Sequence, residues 1–291
     1  MYFSAKEILA QLEGTDKRIC DLVIQNETEL FETPYDKIME MLEERYQIMY
    51  NSAHDALEKE IRSLSGLTGG SARKMWDYYK KGSMICDGTI IRGAAYALSC
   101  LEVNASMGLI VAAPTAGACG VLPAVLVPLY QMGRATEEEI LQALYTASGI
   151  GAVVSFRACI AGASGGCQAE IGTASAMAAG ALTSLRGGDP QQIGHAAAMA
   201  LKNLMGLVCD PVAGLVEVPC VKRNVVGSVN AVSCADMALA GVESRIPVDE
   251  VIDCMGEVGR RMPMEMRETA LGGLAATPTG KAVKERMEQQ D

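Results

Sequence analysis

The stretch VNASMGLIVAAPTAGACGVLPAVLVPLYQMG, residues 103–133, carries no charged side chain and is long enough to cross a bilayer as one helix. Whether it does so decides the fold. Pro114, Pro123 and Pro128 punctuate it, with Gly108, Gly117, Gly120 and Gly133 before, between and after them. A proline inside a helix removes a backbone donor and clashes with the preceding turn. The other apolar segments are short, and the remaining helix-like stretches carry charge on one side. The run is therefore read as a buried core segment rather than a membrane span.

The flanking sequence reads as helices. Over residues 33–64, Ile38, Leu42, Tyr46, Met49, Ala53, Leu57, Ile61 and Leu64 repeat at the three-to-four spacing of one apolar face. Thr33 is expected as its N-cap and Pro34 as its first residue. GLTGG (66–70) breaks that helix, and Ser71 is expected to cap the next. Asp87 opens a helix to about Cys100. Thr136 and Glu139 have capping-box spacing, and Asp189-Pro190 opens a helix that Gly206 closes. Ser228 is expected to begin another, and Pro247 one ending near Met262. No stretch alternates with period two. The expected fold class is mainly α: a single large helical domain with buried Gly/Pro-rich loops (66–291), preceded by an N-terminal helical segment (1–65).

Composition narrows the function. Hydrophobic residues make up 49% of the 291-residue chain but aromatic ones only 4%, beside 30 glycines and 17 methionines. Small side chains and adaptable thioethers suit closely approaching helices. A net charge of −10 argues against nucleic acid, which needs clustered Lys and Arg. The start MYFSAKEILAQLEGTDK has acids and no long apolar core, so no export signal is read and the ten cysteines are expected to stay reduced in the cytoplasm.

Five loops are rich in small residues and poor in charge: GLTGGSA (66–72), APTAGACGVLPAV (113–125), GASGGCQAEIG (162–172), GLVCDPVAGLVEVPC (206–220) and GGLAATPTG (272–280). Loops this apolar belong inside, where their N–H groups need partners. A bound anion is one such partner; close helix packing is the other use of the glycines. Cys167, Cys209 and Cys220 lie in these loops. Their spacing is neither a C-x2-C zinc pattern nor a clustered ferredoxin run. A disulfide is disfavoured in a reducing compartment, while metal binding, catalysis and plain burial stay open. Three thiolates can hold a cubane 4Fe–4S cluster and leave one iron open as a Lewis acid.

The motifs GLTGG, VNASMG, PTAGACG, GASGGCQAEIG, LKNLMGLVCDPVAGLVEVPCVKRN and GGLAATPTG, in order from about residue 60 to 280, resemble the α chain of iron–sulfur-dependent L-serine dehydratases. The resemblance implies a mainly helical lyase that converts L-serine to pyruvate and ammonia without pyridoxal phosphate. It places Cys167, Cys209 and Cys220 on the ligands of a 4Fe–4S cluster with one open iron. The family's histidine-containing SSHT-type motif is missing, and in two-chain versions it lies on the β chain. A β subunit, a hetero-oligomer and a catalytic base outside this chain are therefore expected.

Substrate contacts are expected from the GLTGG and PTAG loops: Thr68, Gly69, Gly70, Thr115, Ala116 and Gly117. Asn224 is expected to hydrogen-bond a ligand sulfur or the substrate. Cys119 stands where the family more often has Ser or Ala. Cys20, Cys86, Cys100, Cys159, Cys234 and Cys254 read as core fillers, and His54 and His195 as packing residues rather than bases. Lys202 shares a helix with His195. Two other readings are a cluster-dependent lyase acting on L-cysteine and a non-catalytic helical subunit. A pyridoxal-phosphate enzyme is disfavoured by the lack of a βα pattern with a phosphate-cradling glycine loop.

Overall fold

The uncharged run is not one helix. In the computed structural model, a helix ends at Ala105, Met107 turns into left-handed space (φ 62°), and the Gly108 N–H returns to the Val103 carbonyl at 2.8 Å. An irregular segment and a single turn at Ala116–Ala118 follow before the next helix, Val121–Gln131. Pro123 falls in that helix's first turn, where a missing donor costs nothing, and Pro128 lies inside it. The structure describes residues 4–289; the first three residues of the N-terminal stretch and the last two of the tail lie outside it.

The helices are α1 (Ala5–Leu12), α2 (Ile19–Phe31), α3 (Tyr35–Glu58), α4 (Ser71–Lys80), α5 (Gly88–Ala105), α6 (Val121–Gln131), α7 (Glu137–Arg157), α8 (Gly162–Gly165), α9 (Thr173–Leu185), α10 (Pro190–Asn203), α11 (Cys220–Leu239), α12 (Val248–Arg261) and α13 (Pro278–Glu288). Among the described residues there is no sheet, only an isolated bridge between Arg62 and Gly69. The fold is a single helical domain around one continuous core that runs from Ile8 to Met255.

At its centre is α9, whose sequence TASAMAAGALTSL is buried from Thr173 to Thr183. It packs against α6, α7, α10 and α11. Only small side chains permit this. A Cβ on Gly180 would sit 2.1 Å from Ile150 of α7. Between α5 and α6 the approach is equally close, since a Cβ on Gly93 would meet the Ala124 carbonyl at 2.4 Å. The low aromatic content thus becomes helix proximity. Among the described residues α7 is the one helix long and apolar enough to cross a membrane, and 61% of its most apolar stretch is buried inside the fold.

Local capping rules held where the cap is a neighbour in sequence. Asp87 accepts from Thr89 N, Thr136 and Glu139 form a capping box, and so do Asp189 and Gln192. Gly206 adopts φ 84° after α10, and Pro247 precedes α12. Four boundaries differ. Pro34, not Thr33, is the N-cap of α3, while the Thr33 hydroxyl donates to the Phe31 carbonyl. That helix stops at Glu58 because Lys59 turns extended, which leaves Leu64 84% exposed rather than on the apolar face. Ser71 is the first residue of α4, and its capping role is taken by Glu102 of α5, whose Oε1 accepts from the Ser71 and Ala72 N–H groups. Finally, α11 begins at Cys220 after Pro219, not at Ser228.

All ten cysteines are free. Cys20, Cys100 and Cys234 are buried in helices as core fillers. Cys86 and Cys254 are exposed, and Cys159 is half-buried in the irregular segment after α7, so these three are not core residues.

Candidate functional site

Three separate segments bring Cys167, Cys209 and Cys220 together at one end of the bundle. Cys167 follows Gly166, whose φ of 76° and crowding by Met262 and the Leu207 carbonyl require glycine. It leads into a π turn, Gln168–Gly172, that opens α9. Buried Gln168 fixes this segment: its backbone N–H donates to Leu207 O and its side-chain oxygen accepts from Gly206 N at 2.8 Å. Its amide nitrogen donates to Gly165 O and Met255 O. Cys209 is held through its N–H to Met266 O at 2.9 Å, and Cys220 starts α11. All three thiols are buried.

Their electrostatics places them near one another. Burial pushes the Cys167 thiol up to about 11, with the nearby Arg223 guanidinium pulling it back and the Glu170 carboxylate adding to the rise. Cys220 is pushed up to about 12 by burial, then by Cys167 and Glu170. Cys209 is raised further by burial and by Cys167, Glu170, Cys220 and Glu268. Without a cation the three cannot ionise together, because each thiolate would face the others in a dry site. Among the described residues no three His, Cys, Asp or Glu side chains converge tightly enough for a single metal ion.

Around the thiols, charged groups tie the loops to one another. Arg223 donates to the Val208 carbonyl and pairs with Asp210 at 2.8 Å, and its charge acts on the nearby Cys167 thiol. Asp210, itself buried, accepts from Leu274 N at 2.8 Å. Gly273 (φ 55°) is the residue that lets GGLAATPTG lie this close, since a Cβ there would fall 2.5 Å from Asp210.

Of the residues singled out in the sequence, Thr115 and Gly117 reach this centre through a carboxylate that sequence reasoning passed over. Thr115 Oγ1 donates to Glu170 Oε1 at 2.7 Å. A Cβ on Gly117 would lie 3.3 Å from that same oxygen, and one on Gly162 would lie 2.7 Å from Oε2 and 3.2 Å from the Cys209 sulfur. Two glycines thus cradle Glu170 beside the cysteines. Burial, then repulsion from Glu268, raises its pKa, against the Thr115 hydrogen bond. Ala116 lies in the same turn as Gly117. The signal was present: Glu170 is the one charge in GASGGCQAEIG.

Asn224 is fully buried and serves backbone. It accepts from Gly120 N at 3.0 Å and donates to Gly117 O (2.8 Å) and Cys220 O (3.0 Å), so it clasps the PTAG turn to the start of α11. The GLTGG loop meets the cysteine loop through Ser65, whose hydroxyl donates to Glu217 Oε1 at 2.7 Å. Thr68 is buried with no partner for Oγ1, and neither has Glu217 Oε2. The Gly70 N–H is directed, with those of Ser71 and Ala72, at Glu102. Gly69 lies under the Ile61 carbonyl, 2.6 Å from where its Cβ would be.

Cys119 is buried with its thiol toward the Cys100 carbonyl. His195 accepts from Ser244 N and Lys202 donates to Ser244 Oγ at 2.9 Å, so both hold the turn before α12.

Residues 14–275 match the family described as serine dehydratase alpha chain, and the chain belongs to that family. It is 45% identical over 287 residues to a probable L-serine dehydratase alpha chain of Bacillus subtilis (strain 168), covering 99% of this chain and 95% of that one. It is 43% identical over 284 residues to the L-serine dehydratase alpha chain of Peptoniphilus asaccharolyticus, covering 98% and 97%. L-serine dehydratase 1 of Escherichia coli (strain K12) is 36% identical over 282 residues, which cover 94% of this chain but 61% of that protein.

Proposed function

We propose that this chain is the α subunit of an iron–sulfur L-serine ammonia-lyase that converts L-serine to pyruvate and ammonia, independently of pyridoxal phosphate and in the cytoplasm. The observation that carries the reading is the convergence of three buried thiols, from three segments, on one charged cradle in a chain of this family.

The donor set fits a 4Fe–4S cluster. Each thiolate of a cubane binds a different iron, so the sulfurs need not point at one atom, and a net cation resolves the mutual repulsion of Cys167, Cys209 and Cys220. A cluster held by three cysteines supplies one open iron as a Lewis acid for the serine hydroxyl. Arg223 steadies Cys167 and the loop that carries Cys209. Thr115 orients Glu170, and the unpartnered Thr68 hydroxyl is assigned to the substrate. Asn224 keeps the PTAG turn, with Ala116 and Gly117, in place. Gly69 and Gly70 shape the loop that presents Thr68.

The base that takes the Cα proton is assigned to a β subunit. Support comes from the alpha-chain names of the full-length relatives, and from the longer E. coli protein, of which this chain spans 61%. The working enzyme is then a hetero-oligomer.

The test is anaerobic purification with iron and sulfide analysis of the wild type and of Cys167→Ala, Cys209→Ala and Cys220→Ala. About four irons per chain are expected in the wild type and loss of the cluster in each variant. A wild-type chain that stays colourless and iron-free after reconstitution with iron and sulfide sinks the cluster reading. Preference for L-cysteine over L-serine in the cluster-loaded α–β enzyme sinks the substrate assignment.

A further inference from the structure

Glu170 occupies a position that the packing of the fold does not explain. Its Oε1 takes the Thr115 hydroxyl, while no protein donor to Oε2 is seen among the described residues, and Glu170 forms no ion pair there. Gly117 and Gly162 stand where any side chain would press on its two oxygens. The one charge that acts on it, Glu268, is of its own sign. The one guanidinium at the centre, Arg223, is already held by Asp210 and the Val208 carbonyl. A half-buried carboxylate with one oxygen unbonded and no ion-pair partner among the described residues calls for a cationic group from outside the chain.

Resting on the reading that the ligand is an L-amino acid, we infer that Glu170 is the specificity residue for the ammonium group of the substrate. An α-ammonium offers three N–H donors, and an ionised carboxylate accepts them as charge-assisted bonds. Thr115 holds Oε1 from one side, and the glycine cradle leaves Oε2 facing the ligand. The substrate carboxylate, being an anion, is turned away from Glu170. One end of the amino acid is thus fixed by charge alone.

The experiment uses the reconstituted α–β enzyme and two unreactive probes, L-alanine and propanoate, which differ in the ammonium group and lack the leaving hydroxyl. Binding is measured by calorimetry and L-serine turnover alongside, with iron content checked in every variant. In the wild type L-alanine is expected to bind at least about tenfold more tightly than propanoate. Glu170→Gln is expected to remove about that tenfold preference through L-alanine alone, leaving propanoate unchanged. Glu170→Asp keeps the charge and is expected to retain most of the preference, which a purely structural role for the loop does not require. Equal weakening of both probes in Glu170→Gln, or a preference that survives it, overturns the inference while L-serine turnover by the wild type leaves the functional reading standing. A wild-type enzyme with neither preference nor turnover overturns both.

Discussion

Two polar islands interrupt the apolar interior, and they are built in opposite ways. Around His54, the side chains come from helices α3, α5 and α6 and bond mainly one another, with Tyr46 OH and Arg92 Nε left without a partner. His54 Nδ1–H donates to Tyr50 O at 2.6 Å, and Gln131 Nε2 donates to His54 Nε2 (2.5 Å) and Tyr50 OH (3.1 Å). Gln131 Oε1 accepts from Arg92 at 2.7 Å and from the Tyr96 hydroxyl, while Tyr46, Tyr50 and Tyr130 meet edge to face. Around Cys167 the groups come from loops and helix starts, and several are left open: Thr68 Oγ1, Glu217 Oε2 and the free oxygen of Glu170. Side chains on rigid helices that bond each other make a structural network. Groups held by backbone ties and left with spare capacity are suited to receiving a ligand. Histidine alone would have pointed to the wrong island.

That contrast predicts unequal responses. Asn224→Ala should have the largest effect, because three buried hydrogen bonds to backbone vanish at once: a loss of about 3 kcal/mol, measured as a shift in urea midpoint. It should also lower iron content, although Asn224 is not a ligand, since the PTAG turn and Cys220 lose their clasp. Full iron occupancy in a destabilised Asn224→Ala protein would show the cysteine end to be as self-contained as the His54 island. His54→Leu should cost less, about 1–2 kcal/mol for one half-buried polar partner of Gln131, with iron content and the KM for L-serine unchanged. A raised KM there would erase the distinction between the two regions.

The two regions also differ in how far they could be read from sequence. The caps at Asp87, Thr136 and Asp189 were legible because each bonds a backbone group two or three residues away. The breakup of residues 103–133 was legible in its prolines and glycines, although the chain turns away at Met107 and Gly108, and Pro123 and Pro128 are accommodated within α6. The grouping of Cys167, Cys209 and Cys220 was suggested by loop composition together with a family resemblance. Long-range substitutes for local rules were not legible. Glu102 caps α4 from α5, which displaced Ser71, and Pro219 started α11 inside what read as loop. Glu170 was visible as a lone charge in an apolar loop, but nothing local says that it turns toward Thr115, a residue on another loop. Burial converts such isolated charges into constraints, and burial is a tertiary fact.

Glu102 gives the smallest effect and sharpens the comparison, because it shares α5 with Arg92 and Tyr96 yet faces the GLTGG loop. Burial raises its pKa above the ordinary carboxylate value, against the pull of the Ser71, Ala72 and Gly70 N–H groups and of Lys222. A carboxyl whose folded pKa is raised keeps its proton in the folded state to a higher pH than in the unfolded chain. Its stabilising contribution is complete below the unfolded value and declines as pH rises toward and through the folded one. Glu102→Gln cannot ionise, keeps an oxygen for the Ser71 and Ala72 N–H groups, and removes that slope. Urea midpoints measured from pH 4 to pH 8 should therefore show the variant weaker than wild type by about 1 kcal/mol or less at the acid end, with the gap narrowing as pH rises. Parallel curves would mean that Glu102 titrates alike in both states and is ionised in the fold at neutral pH. Its unpartnered Oε2 would then carry a full charge inside the fold, and the GLTGG loop would join the cysteine end as a region poised for a cation rather than closed by a neutral cap.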